Sequence, residues 1–330
     1  MFKAQDGSII WGRSMEFNTP LNSHVIVVPR GYRYQGTTPD GNNGAMWKTK
    51  YGMIGMNVFD EPYLCEGMNE KGLVAGHFMF REFAQYSPYR PDQHAKSLAS
   101  WEFVTWVLSQ FDSVDALIQN IATIQIVPVF ETYMQAEQPL HFFVADVTGH
   151  AVVIEPINGS LKVFENPLGI MTNAPSFDWQ MTNVHAAITP ITPESTIVWQ
   201  GMSIPIHTEG NGLKGLPGDM SPSSRFLQLA FAQATITQPK TSSEAIVAAI
   251  RALNRFFISE GMSIKNATAS TTQWEVFVDM TNKAYCYRSY DNMTLRKVDC
   301  NKINFDGKKI TKHDIGKDKT VIVDVTNMLH

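Results

Sequence analysis

The chain has 330 residues, 44% of them hydrophobic and 18% charged, which is enough for a large core in one big domain or two ordinary ones. Its formal net charge of -4 provides no basic field that would recruit nucleic acid or an anionic membrane. No run approaches the ~20 apolar residues of a membrane span, and Lys3, Gln5 and Asp6 interrupt what would be the apolar region of a signal peptide. The chain as written is therefore expected to be soluble and to carry no export signal.

An Asp6-Gly7 turn leads into SIIWGRSMEF, a strand by its β-branched and aromatic residues, and HVIVVP follows as a second. After a polar connection, WKTKYGMIGMNVF (47–59) resumes strand character, with Gly52 and Gly55 marking bulges or close backbone approach. Glu66 to Gly72 reads as a turn into the buried strand LVAGHFMF (73–80). Ser97 to Phe111 has helical spacing at Trp101, Val104, Val107, Leu108 and Phe111, and Ser113 caps a second helix through Ile124. From Leu140, three alternating segments turn at Thr148-Gly149 and Asn158-Gly159 and form a meander. A helix is expected after Pro175, a Gly/Pro-rich loop over 201–221, and a helix from Ser221-Pro222, where an N-cap precedes proline. Thr241-Ser-Ser-Glu244 is a capping-box pattern opening another helix. TTQWEVFVDMT, AYCYRSYD, LRKVDC and VIVDV read as closing strands.

Strands and paired helices in this order predict an α+β sandwich, and no composition break divides residues 1–330, so one domain is expected. Cys65, Cys286 and Cys300 form no C-x-x-C pair and read as small buried hydrophobes. No metal-binding cluster or phosphate loop is visible, so no cofactor is expected.

Arg13 and Glu16 stand three apart at the end of an apolar strand, which is costly unless they pair or act. They read either as an ion pair or as the frame of a nucleophile at the N-terminus, where Met1 cannot serve. Asn173, before a proline-initiated helix, reads as a cap or Asx-turn. Arg225 reads as solvated or paired with a neighbour such as Asp219, and Asp178 is a further candidate. Taken alone, these residues lead no further than an α+β domain.

Five ordered blocks extend the reading: RSMEF at 13–17, DEPYLCEGMNEKGLVA at 60–75, MTNAPSFDWQMTN at 171–183, GLPGDMSPSSRF at 215–226 and TTQWEVFVDMTNKAYCYRSYDNMTLRKVD at 271–299. Together they resemble the choloylglycine hydrolase family of N-terminal nucleophile hydrolases, which includes bile salt hydrolases and penicillin V acylases. The resemblance implies an αββα four-layer sandwich, hydrolysis of linear amide C–N bonds, a small-molecule substrate with an apolar acyl group, no cofactor and a homotetramer. It implies an N-terminal cysteine exposed by processing, whose α-amine serves as base. Arg13 would favour the thiolate, Glu16 would hold the α-amine, Asn173 would donate to the oxyanion, and Arg225 would complete the network.

Glu16 stands where many members have aspartate. Met79 stands where bile salt hydrolases commonly have asparagine; its N–H would be the second oxyanion donor and its side chain an apolar wall, leaning towards penicillin V-like or fatty acyl amides. Family members have roughly Cys-Thr-x-Phe ahead of the position of Met1, so the nucleophile is expected about four residues upstream. The form as written is expected to be inactive, and an upstream signal peptide would make the protein periplasmic. The rival expectation is a binding protein for amphipathic acyl compounds on the same scaffold.

Overall fold

A computed structural model describes residues 1–187, 197–199, 202–204, 215–262, 264–265, 268–316 and 319–328. The elements that build the sandwich are, in chain order, β1 (Phe2–Lys3), β2 (Ile9–Phe17), β3 (His24–Val28), β4 (Met53–Asn57), β5 (Leu64–Asn69), β6 (Val74–Met79), α1 (Phe103–Gln110), α2 (Val114–Asn120), β7 (Leu140–Ala145), β8 (Ala151–Ile157) and β9 (Ser160–Glu165). Then come α3 (Phe177–Ala187), α4 (Pro222–Thr235), α5 (Ser242–Leu253), β10 (Thr271–Asp279), β11 (Ala284–Ser289), β12 (Arg296–Asp299) and β13 (Thr311–Asp314). Eight strands pair antiparallel in the order β9-β8-β7-β6-β5-β4-β3-β13, and five in the order β1-β2-β10-β11-β12.

The period-2 alternation of β2 explains the layering. Ile9 and Trp11 face the large sheet and pack with Val74, Phe143 and Val276, whereas Ile10 faces outward against Ala245, Ala249 and Phe277. Small residues on α5 let that helix sit close, and a Cβ on Gly12 would already meet Leu253 at 3.4 Å. On the far side of the large sheet, α1 buries Phe103, Val104, Val107 and Leu108 against Leu64, Leu140 and Phe142. The four layers are thus helix, sheet, sheet, helix, as expected. α3 and α4 pack through Phe177, Val184, Phe226 and Leu227 on Val153, at the end of the large sheet's inner face.

Several local readings hold. Ser221 caps α4, accepting from Ser224 N at 3.4 Å, with Pro222 in the first turn, and Thr241 Oγ1 caps α5 by accepting from Glu244 N at 3.3 Å. Gly55 does mark a close approach: a Cβ there would lie 2.0 Å from Glu66 O across the strand. The three cysteines are buried and unbridged.

Others need correction. Glu66 to Asn69 are strand, not turn, because both polar side chains find distant partners: Tyr285 Oη donates to Glu66, and Asn69 Nδ2 donates to Leu108 O at 2.8 Å and Phe111 O at 2.7 Å. The helix expected over 97–111 is α-helical only from Phe103. Within the expected loop at 201–221, Met202–Ile204 pairs with Ile197–Trp199, and positions 201 and 205–214 lie outside the described residues. VIVDV forms no strand and is exposed, because no described edge meets it. No helix among the described residues is long and apolar enough to cross a membrane.

Candidate active site

The site begins where two ladders stop. β1 covers only Ile9 and Ile10 of β2, leaving the edge from Trp11 onward without that neighbour. On the facing sheet, β5 and β6 pair through Glu66 and Gly76 and then diverge. Cys65 is the extra residue of a bulge there, since Met56 opposes Glu66 and Asn57 opposes Leu64.

Arg13 fills the gap between those strands. Its side chain is 5% exposed. One guanidinium nitrogen donates to Cys65 O at 3.3 Å and to His77 O at 3.2 Å, and the group lies 4.5 Å above the Phe78 ring. All these partners are neutral, so a nearly buried positive charge stands with no carboxylate in contact among the described residues. The expected Arg13–Glu16 ion pair is therefore absent. Positions three apart on a strand face opposite sides of the sheet, and Glu16 instead meets Arg225 of α4 at 3.9 Å and accepts from Thr272 Oγ1 at 3.2 Å.

Arg225 connects further. Its guanidinium donates to Asn173 Oδ1 at 2.8 Å, and Asn173 Nδ2 donates to Met79 O at 3.1 Å. A polar chain of Glu16, Arg225, Asn173 and Met79 thereby joins the small sheet, α4, the 171–176 loop and the large sheet. The predicted partner of Arg225, Asp219, instead accepts from Ser221 N and Ser224 Oγ. Asn173 is no helix cap; Asp178, accepting from Ser176 Oγ and Trp179 N, organises the start of α3 and does not line the cavity.

Phe80 N donates to Pro139 O at 2.7 Å. By antiparallel alternation the Met79 N–H faces the other way, past the last β5–β6 pair. The Met79 side chain leans towards Leu140 on the α1 side.

Arg13, Glu16, Met79, Asn173 and Arg225 all line one cavity of about 740 Å³, and Met1 borders it, its nitrogen donating to Gly169 O at 2.8 Å. Much of the remaining wall is apolar. Phe59 and Tyr133 stack at 5.0 Å, and Met15, Phe78 and Leu229 contribute further surface. Sequence reasoning missed these walls, though alternation along β6 could have put Phe78 on the same face as Val74, towards the small sheet. Phe59 and Asp60 both have φ near 57°, a tight turn that local composition does not announce.

Cys65 cannot replace an N-terminal thiol. It is buried, burial pushes its thiol up to about 12 despite the opposing field of Arg13, and its Sγ donates to Met56 O at 3.3 Å. Neighbouring Glu66 is pushed up to about 7 by burial, partly offset by the Tyr285 hydroxyl and the Arg13 charge. No group of three His, Cys, Asp or Glu side chains suited to a metal ion occurs among the described residues.

The four-layer sandwich thus sets a buried cation, an amide side chain and an open strand edge around one cavity. A model of the linear amide C–N hydrolases, choloylglycine hydrolase family, matches residues 1–313, and the chain belongs to that family. It is 29% identical over 322 residues to a bile salt hydrolase/transferase of Clostridium perfringens, covering 96% of this chain and 95% of that one. A crystal structure of a mutant conjugated bile acid hydrolase from C. perfringens superposes with a TM-score of 0.86 at 27% identity, covering 98% of both chains. Penicillin V acylase from Agrobacterium tumefaciens superposes with a TM-score of 0.76 at 21% identity, covering 97% of this chain and 93% of that one, a likeness of fold alone.

Proposed function

We propose that this hydrolase cleaves amides with an apolar acyl group, of the bile salt, penicillin V or N-acyl-homoserine lactone kind, through the thiol of a cysteine preceding Met1. The supporting observation is the polar chain from Glu16 to Met79 beside the unpaired charge of Arg13, at the uncovered edge of β2. The register supports the position of the thiol. Phe2 opposes Ile10 and Lys3 opposes Ile9, so continued pairing would set the fourth residue before Met1 opposite Met15, on the face of Arg13.

In this reading the thiolate, favoured by Arg13, attacks the amide carbonyl carbon. The α-amine, with a reference pKa of ~8, takes the thiol proton and returns it to the departing amine. Glu16 holds that α-amine. Asn173 spends one Nδ2 hydrogen on Met79 O and offers the other to the oxyanion, together with the Met79 N–H; such a donor supplies about 3 kcal/mol in the transition state. Arg225, bound to Asn173 Oδ1, fixes which end of the amide points inward. Water then attacks the acyl-thioester, releasing the acid and the free thiol. The apolar wall around Phe59, Tyr133 and Met15 suits the acyl group.

The test is to extend the chain upstream to its cysteine, expose that residue as the N-terminus, and assay penicillin V, conjugated bile salts and N-acyl-homoserine lactones. Thiol-dependent amide cleavage is expected. Saturable binding without turnover would replace the enzyme by a binding protein.

A further inference from the structure

The Asn173 side chain sits on a loop, residues 171–176, that belongs to no helix or strand, yet its amide must hold one direction. Behind the loop lie two buried ionisable side chains with no part in the chemistry above. His141 of β7 is 2% exposed and Glu155 of β8 is 0% exposed. They face each other just beyond the last ladder pair, Phe142 with Ile154. His141 Nδ1 lies 3.2 Å from Glu155 Oε1, and Nε2 lies 3.1 Å from Thr172 O. The same Oε1 accepts from Phe177 N at 2.9 Å. The Phe80 ring stacks on the imidazole at 4.3 Å.

One imidazole faces two acceptors, so a ring with a single hydrogen would leave one contact unmade. The contacts are all satisfied if the pair shares two protons, as imidazolium with carboxylate or as imidazole with carboxylic acid. Both arrangements are neutral overall, which suits a dry interior, and both leave a hydrogen on Nε2 for Thr172. Glu155 Oε2 has no hydrogen-bond partner, so the outward bonds of the pair go to this loop. Thr172 O belongs to the peptide group that carries the Asn173 nitrogen. Phe177 N lies just past the other end of the loop. Thr172 Oγ1 also donates to Pro222 O at 3.0 Å, tying the loop to the helix that carries Arg225.

We infer that His141 and Glu155 are positioning residues: as one neutral two-proton unit they clamp the loop at Thr172 and Phe177 and so aim the Asn173 amide at the oxyanion. The inference rests on the amidase reading for its catalytic consequence, but not for its structural one. Two variants test it. His141→Phe keeps the stacked ring and removes both bonds. Glu155→Gln can place either its oxygen or its NH2 where Oε1 now meets His141 and Phe177 N, so it either accepts from Phe177 N and draws the His141 hydrogen away from Thr172, or donates to His141 and loses Phe177 N. In the 330-residue chain, hydrogen exchange over 171–177 is expected to speed up about tenfold more than in the large sheet, most in His141→Phe. In the mature enzyme, kcat is expected to fall about 100-fold while KM stays within about threefold. Unchanged local exchange would overturn the inference, as would a loss confined to KM. If the parent enzyme itself cleaves no amide, the amidase reading fails, and local exchange alone decides on the clamp.

Discussion

The two faces of the five-stranded sheet each bury an arginine, and they treat it differently. On the outer face, Arg288 of β11 stands directly opposite Glu275 of β10, and the two meet at 2.5 Å, with Asn254 accepting from the other side of the guanidinium. Strand register alone makes that pair. On the inner face, Arg13 stands opposite Val276 and turns to two backbone carbonyls and an aromatic ring. One charge is neutralised where it lies and holds structure. The other is solvated by neutral groups, so its field remains available to an anion beside it.

The contrast can be broken in order of expected size. Glu275→Leu leaves Arg288 buried without its carboxylate and should cost about 3–5 kcal/mol in urea unfolding, with kcat of the folded enzyme retained. Arg13→Met orphans no carboxylate, only two carbonyls, and should cost about 1–3 kcal/mol. Its activity in the mature enzyme should fall at least as far as that of Asn173→Ala, for which about 10²–10³ in kcat is expected from steady-state kinetics. Equal stability losses for Glu275→Leu and Arg13→Met would erase the distinction between the two faces.

The thiols sharpen it further. Burial pushes Cys65 and Cys300 up to about 12 and Cys286 up to about 11. The native 330-residue chain should therefore take up no iodoacetamide at pH 8 by mass spectrometry, and a form extended to the proposed N-terminal cysteine should take up one equivalent.

The most gradual effect, spread over more than two pH units, is a pH dependence of stability. Burial raises the Glu66 carboxyl from 4.5 to about 7, with Arg13 pulling the other way. Between those values the folded protein keeps a proton that the unfolded chain has released. This contribution to stability is therefore full below about pH 4.5, shrinks by about 1.4 kcal/mol per pH unit up to about 7, and is level above. Urea unfolding across that range should show the decline, Glu66→Gln should flatten it, and Arg13→Met should extend it to higher pH.

Local chemistry made much of the fold legible. The strand at Ile9, the meander from Leu140 and the caps at Ser221 and Thr241 each rest on neighbours within a few positions. What failed needed distant partners. Glu66 and Asn69 look like turn residues until Tyr285 and the end of α1 supply their hydrogen bonds. VIVDV has strand propensity, but propensity alone supplies no edge to pair with. The site was legible only through the family resemblance, because the Arg225–Asn173 contact spans 52 positions and no local pattern encodes it. Strand alternation, by contrast, argued locally against an Arg13–Glu16 pair, and the irregular ladder step between Met15 and Glu16 accompanies the turn of Glu16 towards Thr272 and Arg225.

The most direct test is the crystal structure of the protein extended to the proposed N-terminal cysteine and soaked with a slowly hydrolysed acyl amide. A thioester beside Arg13 is expected, with its carbonyl oxygen facing Asn173 Nδ2 and the Met79 N–H. An unmodified cysteine pointing away from that cavity, or a substrate bound elsewhere, would contradict that expectation.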